Sequence, residues 1–151
     1  MLRTQLNDGL KEAIKAKKEV EVRTLRLIIA ALKDRDIAAR SAGNFDGITN
    51  EEILVMLQSM IKQRQDSIGM YRQGNREDLA ANEAAEIAVI SEFLPQQLNE
   101  EEIEAIVTQL VNEMEATSIK DMGKIMGSLK AKHSGKMDFG KASQVVKRLL
   151  S

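Results

Sequence analysis

The residues best suited to chemistry crowd the last third of this sequence. Lys120, Lys124, Lys130, Lys132, Lys136, Lys141, Lys147 and Arg148 occur there against only two acids, Asp121 and Asp138. Such a set is either an ordinary solvated face or a phosphate-binding one. Lysine–phosphate contacts give affinity that falls steeply with salt and carry little sequence information. Gly123 and Gly127 lie four apart among these cations. On a helix they form one smooth stripe, and each costs about 1 kcal/mol relative to Ala. The stripe serves either close helix packing or the close approach of a polyanion backbone, with Lys124 beside it.

Other chemistry finds little support. His133, the single histidine, falls in a polar loop next to Ser134. Adjacent residues give poor geometry for a base serving that hydroxyl, so His133 reads as a surface residue or a nucleic-acid contact. Glu83 and Glu86 share a helix face, with Glu77 and Asp78 upstream. Di-metal bundles use such pairs together with Glu-x-x-His repeats. With one histidine, these acids are expected to pair with Arg and Lys of the second and third helices, and no metal site is expected. The absence of cysteine removes thiol nucleophiles, zinc thiolates and disulfides. No glycine-rich phosphate loop opens a helix after a strand. No catalytic residue and no cofactor is assigned.

The elements that position these residues are helical. One proline in 151 residues, few aromatics, and abundant Ala, Leu, Glu and Lys specify an all-α protein. The net charge of −1 conceals a segregation. Residues 1–74 carry 13 bases against 10 acids, residues 75–117 one base against 11 acids, and residues 118–151 eight bases against two acids. A basic end on a near-neutral chain is a possible polyanion footprint. The absence of cysteine allows a reducing compartment, the first residues carry no apolar signal-peptide core, and a cytoplasmic location is expected. The run Leu27–Leu32 is too short to cross a bilayer, so no membrane partner is expected.

Leu2, Leu6, Leu10 and Ile14 mark a first helix over about 2–17. The second, about 19–40, is apolar nearly all round at Leu25–Leu32. It is expected to be buried on several sides at the centre of the bundle, with Arg23 and Arg26 paired to acids on its neighbours. Ser41–Ile48 is turn-rich and reads as a loop long enough to be mobile. Thr49 and Glu52 form a capping box for a third helix reaching Gln73, and Asn75 is expected to cap a fourth. Pro95, within Glu92–Leu98, stops that helix. Asn99 and Glu102 cap a fifth, Ser118 and Asp121 open a sixth near 119–131, and the last starts near Asp138 or Phe139. The expected organisation is an N-terminal bundle of about four helices over 1–94, then a small three-helix tail domain over 95–151.

Several stretches, in their order and spacing, resemble the YqeY-like family over nearly the whole chain. They are Leu25-Arg26-Leu27 to Ala31-Leu32-Lys33, Lys62–Ile68, Gly74–Ala80 with Glu86-Ile87, Phe93–Leu98 and Asp121–Gly127. The second part also resembles the C-terminal tail domain of the GatB subunit of glutamyl/aspartyl-tRNA amidotransferases. The family's Asp-Gly-Lys before the last helix appears here as Asp138-Phe139-Gly140-Lys141, with an extra aromatic. In the amidotransferase the tail helps hold tRNA while the chemistry sits elsewhere. The resemblance thus implies a non-catalytic tRNA-associated adaptor. Its partners would be tRNA and either an amidotransferase or an aminoacyl-tRNA synthetase, with no DNA. Phe139 is the only aromatic of the tail, so folded RNA would be recognised by shape and backbone rather than by base stacking. Two alternatives stay open. One is the family's label, participation in carbon–nitrogen ligase activity with glutamine as amido donor. The other is a helical protein–protein module with no RNA role.

Overall fold

The computed structural model describes residues 1–151 and is all-helical. Its helices are α1 (Leu2–Lys15), α2 (Glu19–Ser41), α3 (Asn50–Gln73), α4 (Glu77–Ser91), α5 (Glu100–Glu113), α6 (Met122–Lys132) and α7 (Phe139–Leu150). A single 3₁₀ turn, Ile119–Asp121, precedes α6. No helix is long and apolar enough to cross a membrane. Two compact units are present, Met1–Leu94 and Pro95–Ser151.

In the first unit, Leu6 and Ala13 of α1, Leu25, Ile28 and Leu32 of α2, Ile53, Met56 and Leu57 of α3, and Val89 and Ile90 of α4 are buried together. A strict four-residue repeat drifts about 40° per step on a 3.6-residue helix. The α1 stripe therefore rotates off the core by Ile14, which is 48% exposed, and Ala13 replaces it. Helix α2 meets α1, α3 and α4, as expected of a central helix, but it is not covered all round. Neighbours bury Leu25, Ile28 and Leu32, while Leu27 and Ile37 stay exposed on the other side. An apolar run does not create the second layer of helices needed to cover both faces. The α3–α4 hairpin makes the most extensive pairing instead.

Local signals place most helix ends. Thr49 Oγ1 accepts the Glu52 N–H while the Glu52 carboxylate accepts the Thr49 N–H, both at 3.2 Å. Asn75 does not cap α4. It takes a left-handed conformation with φ 57° after α3, and Arg76 precedes the helix, its guanidinium on Asp78. Asn tolerates that conformation better than most residues, so the turn uses its backbone and not its side chain.

Charged groups bind the unit internally. Glu86 of α4 receives Arg64 of α3 at 2.8 Å and lies 3.6 Å from Arg23 of α2. Arg64 and Glu86 are each only 13% exposed. Arg26 lies on α2 without an acidic partner, against expectation. The loop after α2 is anchored at its Ile48 end. Arg3 donates to Asp36 at 2.5 and 2.7 Å and to the Ile48 carbonyl at 2.9 Å, while Asp36 accepts the Ile48 N–H at 3.0 Å. Ile48 is buried as a result. Gly47, at φ 85°, has no alternative: a Cβ there would lie 2.6 Å from Arg3 Nη2 and 2.7 Å from Asp36 Oδ1.

The second unit packs α5, α6 and α7 around Ile103, Val107, Leu110, Ile125, Leu129, Met137, Ala142, Val146 and Leu150. The Asn99–Glu102 capping box forms as the sequence specifies. The Leu98 N–H donates to the Lys136 carbonyl at 2.7 Å, fixing the segment before α5 to the turn before α7. Met114 and Leu149 extend the apolar stripes in sequence but are exposed.

Candidate nucleic-acid interface

Helix α6 is held by one face and open on the other. Asp121 starts it, its carboxylate accepting the N–H groups of Thr117 and Ser118 at 3.1 and 3.3 Å. Ile125 and Leu129 are fully buried and Met122 and Met126 half-buried, which sets the helix rotation. At 100° per residue, Gly123, Gly127 and Lys130 then share the outward face, with Lys124 at its edge. All four are exposed. Lys120 lies in the 3₁₀ turn just before them.

A Cβ added to Gly123 or Gly127 would meet nothing within 4 Å. Close helix packing therefore does not account for these glycines. They leave a bare strip of helix backbone facing solvent, bordered by lysines that form no ion pair.

The remaining cations are distributed elsewhere. Lys132 and Lys136 flank His133 in the turn before α7. The turn closes through Gly135, at φ 75°, whose carbonyl accepts the Gln97 side-chain amide. Partial burial, then the charges of Lys136 and Lys132, hold His133 below its ordinary pKa of 6.5, so it is mostly neutral at pH 7. Lys141 and Arg148 face α5. With Gln144 they line a groove of about 410 Å³ against Glu100 and Glu104, and Arg148 pairs with Glu104 at 3.0 Å. Lys147 is exposed on α7. The eight cations thus fall into three groups, with Lys147 apart, rather than one face. The acids of α5 opposite α7 are the reason, and sequence reasoning missed them because they come from the acidic middle of the chain.

The departure from Asp-Gly-Lys before α7 has a local resolution. Asp138 Oδ1 accepts the Gly140 N–H at 2.8 Å and caps the helix, while Phe139 packs against the tail core. The aromatic is used for packing.

A family model described as YqeY-like protein matches residues 3–150. The chain belongs to the YqeY-like family. Curated relatives carry the name "Altered inheritance of mitochondria protein 41, mitochondrial". The protein from Vanderwaltozyma polyspora is 32% identical over 72% of this chain and 58% of its own length. That from Clavispora lusitaniae is 32% identical over 76% of this chain and 65% of its own length. That from Meyerozyma guilliermondii is 37% identical over 59% and 44% respectively. This YqeY-like chain therefore spans less than two thirds of the length of these relatives. Their names overturn the expected cytoplasmic location, because relatives at this similarity are named as mitochondrial. The reason is simple: an absence of cysteine is compatible with more than one compartment.

Proposed function

We propose that this YqeY-like chain is a non-catalytic adaptor that holds tRNA through its second unit. The observation that carries the reading is the bare strip at Gly123 and Gly127 beside Lys120, Lys124 and Lys130. Glycine in a helix costs about 1 kcal/mol relative to Ala, and nothing within the chain packs against either position to offset it. A ligand whose backbone approaches the helix closely does offset it. Phosphates bordered by unpaired lysines are the fitting chemistry. Lys132 and Lys136 extend the contact around His133; Lys141, Lys147 and Arg148 lie outside its centre. With Phe139 packed against the core, no second aromatic is present in this unit to stack unpaired bases. The reading is therefore shape and backbone recognition of folded RNA. The first unit docks a protein, and an amidotransferase or an aminoacyl-tRNA synthetase is the proposed kind.

The test is fluorescence anisotropy with total tRNA between about 50 and 200 mM salt, a range over which phosphate-driven affinity drops sharply. A Lys120→Glu, Lys124→Glu, Lys130→Glu variant is expected to abolish binding. A Lys141→Glu, Lys147→Glu variant should weaken it only modestly. No binding to tRNA at low salt, or equal loss in both variants, overturns the assignment.

A further inference from the structure

A concavity of the first unit lies where the end of α1 meets the start of α2. It measures about 700 Å³, and its walls include Ile14, Val22 and Leu27, with Lys17, Arg23 and Arg26 around them and one acid, Glu19. Ile14 and Leu27 are 48% and 45% exposed, two of the apolar residues that the core-facing stripes of α1 and α2 leave outside. Lys17 and Arg26 form no ion pair, and Arg23 is only partly engaged, at 3.6 Å from Glu86 with half of its side chain exposed. On α2, Val22 with Arg26 and Arg23 with Leu27 stand at i, i+4, so apolar and cationic positions run side by side along about two turns.

We infer that this groove is a docking site for an acidic amphipathic helix of a partner protein. An apolar floor about two turns long takes the i, i+3, i+4, i+7 anchors of such a helix. The net positive rim selects carboxylates beside those anchors and suppresses basic partners. A nucleic acid makes no use of the aliphatic floor, and no aromatic is present for a base to stack on. Leu27 and Arg26 carry the site: one supplies the exposed apolar contact, the other a charge without an internal partner. This site is separate from α6, so it stands whether or not the second unit holds RNA.

The test uses a fluorescein-labelled synthetic helix with leucines at i, i+3, i+4 and i+7 and glutamates flanking them, titrated with the full chain. A second peptide carries lysines in place of the glutamates. The acidic peptide is expected to bind and the basic one not. Arg26→Glu and Leu27→Gln, both at exposed helix positions, should each weaken binding about tenfold, with unchanged helical circular dichroism. Equal binding of both peptides, or wild-type affinity in both variants, overturns the proposal. So does displacement of the acidic peptide by tRNA in the wild-type chain but not in Arg26→Glu, an outcome that would give the groove to RNA.

Discussion

The two units solve the same problem with different materials. The first, with its longer helices, is tied internally by charge: Arg64 and Arg23 converge on Glu86, and Arg3 with Asp36 clamps the backbone at Ile48. The second has short helices, an apolar core and one inter-helix ion pair, the exposed Arg148–Glu104. Its remaining cations are unpaired. The lesson is that the first unit builds its part-buried charges into the fold and leaves others, such as Lys17 and Arg26, outside, whereas the second unit has no part-buried ion pair.

The sharpest way to break this contrast is to remove one acid from each unit. Glu86→Ala leaves Arg64 nearly buried without a counter-charge and is expected to cost about 3 kcal/mol in urea denaturation. Glu104→Ala removes an exposed partner and should cost about 0.5 kcal/mol or less. Similar losses at both sites would erase the distinction.

Two glycine substitutions should move stability in opposite directions. Gly47→Ala places a Cβ at positive φ and against the Arg3–Asp36 pair, so a loss of about 2 kcal/mol is expected. Gly127→Ala enters open space on a helix and should stabilise by about 0.5–1 kcal/mol. The same Gly127→Ala protein should bind tRNA more weakly. A more stable protein with unchanged RNA affinity would show that the strip does not touch the RNA.

The smallest expected effect is in pH dependence, and it too divides the units. Asp36 is held below its ordinary 3.8, first by the Arg3 hydrogen bonds. Its contribution is present above 3.8 and is lost as pH falls through the lower folded value. His133 is held below 6.5, so the unfolded chain binds its proton more readily. Stability from this group is full above 6.5 and declines as pH falls below it. Thermal unfolding should therefore show a mild loss below pH 6.5 that His133→Gln removes. A separate loss below pH 3.8 should be removed by Asp36→Asn. If His133→Gln leaves the profile unchanged between pH 7 and 5, the partial burial of the imidazole does not matter energetically.

The sequence was informative wherever the physics is local. Thr49 with Glu52 and Asn99 with Glu102 are complete capping boxes within four residues, and both form. Pro95 marked the end of the fourth helix because a missing N–H acts on its immediate neighbours. Asn75 failed as a cap because side-chain capping and a left-handed backbone compete for the same residue, and the turn after Gln73 takes the second. Of the candidate interface, the residue types and the Gly123–Gly127 spacing were legible; their exposure was not.

By itself, then, the sequence determined the all-helical class, the helix order, most helix ends and the separation of acidic and basic segments. These follow from hydrogen bonds, periodicity and charge over a few residues. Only the tertiary structure decided that Arg3 reaches Asp36 and Ile48, that Leu27 and Arg26 remain outside the core, and that Arg148 turns to Glu104 while the α6 glycines face solvent. Each depends on which face of a helix meets a neighbour distant in the chain. An amphipathic pattern specifies that a face is buried without specifying the residue opposite it.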